Sequence, residues 1–376
     1  MIREKLTTNQ FRFLVLFSTC STSLLSLPLI IGTMVGRDAW WIVLIGTIAG
    51  LPFIWLFTII ARWYPDKDIF EVSKSILGKT FGTVNVVLIT ALPFLTVSTK
   101  LHYSLTFIDN HLLPETPIVI VVGICMSIVA MGAYLGITTL GRTAELLSIF
   151  FFVPLIMLFI FKITEVSIEF VQPFFRGEDN QYISAFLFYF AITACNNFLI
   201  LSFFPKYVQD KKKASRAFFE GHLAACLTLF LVTLLCISVL GPELMTSSYY
   251  PLFSLSQRVS FGDFAERVEA LLTIIWFITI YFKITLYLYV VVSGIGNVFS
   301  LKNPRPLTVP LALFFVFIPL QAFDDSAADY EFYIGPAMWL SLGIGGLIPL
   351  LLFLIGSIKR ARSKQVSVSK DPSNSG

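Results

Sequence analysis

The stretch ITACNNFLILSFFPKYVQDKKK, residues 192–213, poses the problem from which the fold is read. Its first half is apolar enough for lipid. Yet Asn196 and Asn197 stand side by side in it, next to Thr193 and Cys195. A bare amide in hydrocarbon costs about 4–8 kcal/mol on the water-to-alkane scale. Two adjacent amides at mid-depth therefore need partners or a cavity.

Composition places this stretch in context. Apolar residues form 56% of the chain and charged residues 13%, with a mean hydropathy of +0.81. A soluble domain averages about 25% charged residues. Apolar runs of about 18 residues or more recur along nearly the whole length, each long enough to span a bilayer. The chain reads as an all-α polytopic membrane protein with no soluble domain. Its net charge of +4 is then no sign of a nucleic-acid partner. The N-terminal MIREKLTTNQFRF has no small-residue cleavage site after it and reads as the lead into a retained first helix. Cys20, Cys125, Cys195, Cys226 and Cys236 lie in apolar segments without metal or redox spacing and read as small buried side chains. The polar tail 358–376 is expected to be disordered and cytoplasmic.

Ten spans are expected, at about 11–31, 39–61, 83–108, 117–136, 143–162, 183–204, 218–240, 268–292, 307–322 and 334–357, the ninth short and bounded by prolines. With the N-terminus in the cytoplasm, twenty of the 27 Lys and Arg fall inside and five outside. This is the positive-inside pattern, with both termini cytoplasmic. The remaining two lie within spans. Lys100, in the outer part of the third, reads as snorkelling to headgroups. Lys283, slightly to the cytoplasmic side of mid-depth in the eighth, is a functional candidate because ionisable side chains are costly there, with snorkelling to the inner interface as the alternative. Between the second and third spans, Asp68 and Glu71 have the spacing of a capping box and Gly78 that of a stop, which predicts a short amphipathic helix. Glu145 is spaced to pair with Arg142.

Ten spans divide into two sets of five, 1–162 and 183–357. Five is odd, so the second set starts from the opposite side, and sets sharing one fold form an inverted repeat. In transporters so built, the first helix of each set breaks at mid-membrane and its free backbone groups bind the substrate. Both required places carry a break signal. Span one contains STCSTSLLSLP, with Cys20, Ser21, Thr22 and Ser23 ahead of Pro28; span six contains Thr193, Cys195, Asn196 and Asn197. These eight residues are expected to line a ligand site between the halves. Hydrogen bonding to neighbouring helices is the other use of such side chains.

Five segments carry a resemblance: LTTNQFRFLVLF (6–17), GRDAWWIVLIGTIAGLPF (36–53), YPDKDIFEVSKSILGKTFG (64–82), LLPETP (112–117) and GRTAELLSIFFFVPLI (141–156). In this order and spacing they resemble the endospore germination permease family, the B subunits of spore germinant receptors, within the amino acid–polyamine–organocation superfamily. The resemblance implies a leucine-transporter-like fold in the spore inner membrane. It also implies an A-subunit membrane protein and a C-subunit lipoprotein as partners, and a role in sensing a small nutrient, often an amino acid. In that fold the third and eighth spans flank the site, which adds Thr96 or Thr99 and Thr279. Some relatives in the wider fold hold sodium between the first-helix break and the eighth span, so Lys283 is expected as a built-in cation on carbonyls freed at Ser21 to Leu24. This sequence departs in having serine and threonine, with no Gly-x-Gly, at the first break.

Three functions follow as alternatives: a receptor subunit, a proton-coupled amino-acid symporter, or a membrane enzyme. Neither an H-E-x-x-H nor a nucleophile elbow is present and the three histidines are scattered. No catalytic residue, metal ligand or cofactor is expected.

Overall fold

The computed structural model describes residues 5–172, 179–258, 268–323 and 325–368. The expected placements of Arg3, Arg176, Arg267 and Lys370 lie outside them. The helices are α1 (Thr8–Cys20), α2 (Ser23–Val35), α3 (Ala39–Trp63), α4 (Ile69–Leu77), α5 (Lys79–His111), α6 (Ile118–Leu135), α7 (Ile137–Lys162), α8 (Asp179–Thr193), α9 (Lys211–Ser247), α10 (Pro251–Gln257), α11 (Val268–Val298), α12 (Thr308–Gln321), α13 (Ser326–Ile334), α14 (Pro336–Leu340) and α15 (Ile348–Val368). Among the described residues there is no strand, only an isolated bridge from Leu6 to Val208.

Eight helical stretches are long and apolar enough to cross a bilayer, and α12 is a shorter apolar one. One of the eight, Ser23–Trp63, turns at Gly36 (φ 57°) into α2 and α3. Helix α1 leads directly into α2, so together these make ten crossings. The tenth runs from α14 through a π-helical turn, Ser341–Leu347, into α15. Helix α15 reaches Val368, through the first part of the tail expected to be disordered; residues 369–376 lie outside the described ones.

Lipid explains the surface. Helix α7 exposes Leu146, Ile149, Phe150, Val153, Ile156 and Ile160 along one stripe, and α12 exposes Val309, Leu313, Phe314 and Phe317. Water would not tolerate apolar faces of this extent; hydrocarbon requires them. The inward faces carry phenylalanine. Phe11 stacks on Phe204 (centroids 4.9 Å apart) and meets Phe203 and Phe218 edge-on. That cluster ties α1 to the chain after α8 and to α9.

The expected capping box closes at α4: Asp68 accepts from the Glu71 amide and Glu71 from the Asp68 amide, each at 3.0 Å. Gly78 ends the helix at φ 84°. Ile69, Phe70, Val72 and Ile76 are buried, so α4 packs on the bundle. Lys206 salt-bridges both Asp68 and Glu71 at 2.9 Å, fastening the chain after the sixth crossing to α4. Burial pulls the Lys206 ammonium down, but the hydrogen bonds and charges of those two carboxylates more than offset it, so its pKa stands above the ordinary lysine value. Glu145 accepts a hydrogen bond from Gln10 Nε2 at 3.1 Å, a contact across helices that its spacing from Arg142 did not predict.

Candidate functional site

Helix α1 ends at Cys20 and α2 starts at Ser23. Between them Ser21 adopts φ 36°, ψ −138°, a region that costs a non-glycine residue about 1–3 kcal/mol. The missing turn leaves helix-end carbonyls in need of donors. Two come from α11. Lys283 Nζ donates to the Ser18 carbonyl at 2.7 Å and Thr279 Oγ1 to the Ser21 carbonyl at 3.3 Å. The Lys283 ammonium also lies 5.0 Å from the Tyr287 ring centroid, a cation–π contact. Lysine thus meets the break as expected, but one turn earlier than Ser21 to Leu24. The reason is that the later carbonyls already have donors: the Ser21 carbonyl accepts from Thr279 and the Leu24 amide, and the Thr22 carbonyl from the Leu25 and Ser26 amides.

The second break follows α8. Past Thr193 the chain tightens into a 3-10 segment, Cys195–Ser202. Here the opening question is answered in two ways. Asn197 Nδ2 donates to His222 Nδ1 at 2.9 Å and lies 3.0 Å from Thr19 Oγ1. The His222 Nε2 then points to Cys226 Sγ at 3.5 Å. Asn197 therefore serves as a buried polar joint between the two breaks and α9. Asn196 has only a long 3.5 Å contact to the Ile192 carbonyl, and its Oδ1 finds no hydrogen-bond partner. Gly345 of the π-helical turn crosses directly over the Cys195 carbonyl.

The other expected residues are all buried. Cys20 Sγ contacts the Ala225 carbonyl at 3.9 Å. Thr96 and Thr193 bond to carbonyls of their own helices. Ser23 opens α2. Thr22 and Thr99 line a small cavity of about 20 Å³, room for about one water. That cavity is shared by Lys100, Tyr103, Asp329 and Tyr333. Of the twelve residues expected to form one site, then, Thr22 and Thr99 face the cavity. Ser21, Thr279 and Lys283 meet at the break, and Asn197 bridges the helices.

Lys100 corrects the snorkelling expectation. It is only 4% exposed, with its ammonium 4.9 Å from the Tyr333 ring centroid. Its position in a span was a signal that it faces the bundle interior. Asp329 falls between the expected ninth and tenth spans, 307–322 and 334–357, and is only 3% exposed. Nothing local in the sequence separates it from the exposed Asp325 and Ala327, because α13 folds over the cavity only in three dimensions. His222 was equally invisible: its role exists only where Asn197 meets it.

A sequence model of the spore germination protein family matches residues 5–325. Spore germination protein KB of Bacillus subtilis is 24% identical, covering 97% of this chain and 98% of that protein. Spore germination protein A2 of the same organism is 26% identical over 95% and 96%, and spore germination protein GerLB of Bacillus cereus 23% over 95% and 96%. Among solved structures, Mhp1, a nucleobase-cation-symport-1 family transporter in a closed conformation with bromovinylhydantoin bound, superposes with a TM-score of 0.63. It is 11% identical, and the match covers 91% of this chain and 78% of that one. At such low identity the likeness speaks for the fold alone: an all-α membrane protein of transporter type.

Proposed function

Because the chain belongs to the spore germination protein family, we propose that it is the nutrient-sensing membrane subunit of a germinant receptor. A small molecule such as an amino acid enters beside the break between α1 and α2, the bundle shifts, and a partner responds. The observation that carries this reading is the meeting of the first helix break with Thr279 and Lys283 of α11, beside a buried polar cavity. Broken helices expose backbone groups where lipid cannot reach, an arrangement suited to binding a polar ligand. We place the protein in the spore inner membrane, with an A-subunit membrane protein and a C-subunit lipoprotein as partners and both termini cytoplasmic. Residues 1–162 and 183–357 form the two inverted five-helix sets in this reading. Lys283 acts as a fixed cation that joins them. We assign no catalytic step.

A proton-coupled amino-acid transporter is the second reading, compatible with the fold shared with Mhp1. Fold does not decide function. Liposomes containing this chain alone separate the two. The receptor reading expects no accumulation of labelled amino acid with or without a proton gradient. Gradient-dependent accumulation would replace it with the transporter.

A further inference from the structure

A second cavity, of about 400 Å³, lies far from the first break, at the end of the bundle where Leu6 bridges Val208. Three elements meet in it. Helix α4 and its cap supply Lys74 and Asp68, the chain after the second break supplies Ser202 and Lys206, and the end of α11 with the loop beyond supplies Asn297 and Lys302. The expected sixth and eighth spans end at Phe204 and Val292, so the cavity sits at headgroup depth rather than in hydrocarbon. Beside it the chain exposes Phe299 and Leu301.

The polar groups of this cavity are only partly used. Ser202 is 2% exposed and its hydroxyl has no hydrogen-bond partner; Asn297 Oδ1 is buried and has none either. An ammonium offers three donors. Lys206 uses two on Asp68 and Glu71, and Lys74 one on the Asn297 carbonyl. Lys302 is exposed and, among the described residues, uses none. Three lysines against the two carboxylates leave one positive charge in excess. The negative end of α11 would by itself repel an anion, and Lys74 offsets it by capping a carbonyl there. From this we infer that the cavity takes the headgroup of a hydroxyl-bearing anionic phospholipid such as phosphatidylglycerol. The phosphate accepts from the spare lysine donors and the Ser202 hydroxyl, and a headgroup hydroxyl donates to Asn297 Oδ1. A phosphodiester carries a single negative charge and matches the excess; a monoester, at about −1.5 to −2 near neutral pH, exceeds it. A choline headgroup brings a second cation and no donor for Asn297. Basic pockets between membrane helices on the cytoplasmic side suit such headgroups, and the acyl chains continue along Phe299 and Leu301. Held there, the phosphate ties the chain after the second break to α4 and to α11, whose Thr279 and Lys283 reach the first break. The leaflet on this side is thereby coupled to both breaks, whether the chain is a receptor subunit or a transporter.

The test follows thermal unfolding of the full chain in phosphatidylcholine nanodiscs into which a second lipid is mixed in rising fraction. Phosphatidylglycerol should raise the unfolding temperature and saturate at a low fraction. Phosphatidylmethanol, a phosphodiester without headgroup hydroxyls, should need a fraction higher by about twofold to tenfold, the worth of one neutral hydrogen bond. Lys74→Met should raise the phosphatidylglycerol midpoint by about tenfold, the worth of a charged one. Lys302→Gln and Ser202→Ala should raise it by smaller factors, and Lys79→Gln, an exposed lysine outside the cavity, should leave it unchanged. Each variant's unfolding temperature in phosphatidylcholine alone is its own baseline. Lys302→Gln removes an exposed side chain without a partner, so it keeps the test open if Lys74→Met folds poorly. No saturable response to phosphatidylglycerol overturns the site. A shift in Lys79→Gln as large as in Lys302→Gln also overturns it, reducing the effect to diffuse attraction of anionic lipid. Stabilisation by inorganic phosphate in pure phosphatidylcholine, with no added effect of phosphatidylglycerol, assigns the cavity to a soluble anion and overturns the lipid.

Discussion

Asn197 and Asn196 are the same residue type, one position apart, and the structure gives them different work. Asn197 joins Thr19 and His222. Asn197→Ala strips a buried imidazole of its partner, which costs about 1–3 kcal/mol. The unfolding temperature of the purified protein should fall accordingly. Asn196 has one long contact and an unpaired oxygen, so Asn196→Ala should change stability by less than about 1 kcal/mol. Equal losses for the two would mean that the Thr19–Asn197–His222 joint does not hold the breaks together. Lys283 is the second residue with a separable role. Lys283→Met keeps the stem and removes the ammonium from the Ser18 carbonyl, so the nutrient dose response should weaken. Lys283→Arg should weaken it too, because a planar guanidinium does not replace a compact ammonium. The parent protein should respond equally with and without sodium. A normal response in Lys283→Met, or a sodium requirement in the parent, would remove the fixed-cation role.

At the scale of elements, the breaks are held in shape by what crosses them. The 3-10 segment after α8 lies under the π-helical turn Ser341–Leu347. A Cβ on Gly345 would collide with the Cys195 carbonyl, which is backbone and cannot rotate away. Gly345→Ala should therefore force the tenth crossing off the sixth and cost about 1–3 kcal/mol, the usual size of an overpacking penalty. Gly343, with open space around it, is the control: Gly343→Ala should be neutral or slightly stabilising in the same unfolding assay, since alanine is the better helix former. Similar losses at both positions would point to the π-helical geometry itself rather than to the close approach. Helix α4 works in the same way on the basic face. Its capping box and Lys206 fix the chain after the sixth crossing to the loop between the second and third.

The whole molecule is polarised, and this can be checked without knowing the ligand. The end of the bundle where Leu6 bridges Val208 gathers Lys74, Lys206 and Lys211, the last two paired with Asp68, Glu71 and Asp66, while Arg37 follows α2 and bonds the Glu169 and Gln172 carbonyls. In the proposed orientation, Ala327→Cys should react with a membrane-impermeant maleimide from outside intact cells and Lys212→Cys should not. Both positions are exposed, so the difference reports the side alone. Labelling of both from outside would break the ten-span topology. The proposed partners make a further claim at this scale. Cells expressing this chain without any A or C subunit should not produce a germination response, and a response there would favour an autonomous channel or transporter.

Hydropathy, the charge asymmetry and the break signals were legible in the sequence because each depends on local solvation. A residue facing lipid must be apolar whatever its distant neighbours are, and a basic loop keeps to one side for reasons confined to that loop. The ten crossings, the α4 capping box and the discontinuities at Ser21 and after Thr193 follow from rules of this kind. The destination of each polar side chain does not. Lys100 and Asp329 are far apart in the chain and share a cavity only because α13 folds over α5. Asn197 finds His222 because α9 and the 3-10 segment after α8 both pack against α1. The Ser18 carbonyl, rather than a later one, receives Lys283 because the Ser21 and Thr22 carbonyls already have other donors. A sequence states which groups must be satisfied; only the packing of helices distant in the chain decides which partner satisfies them.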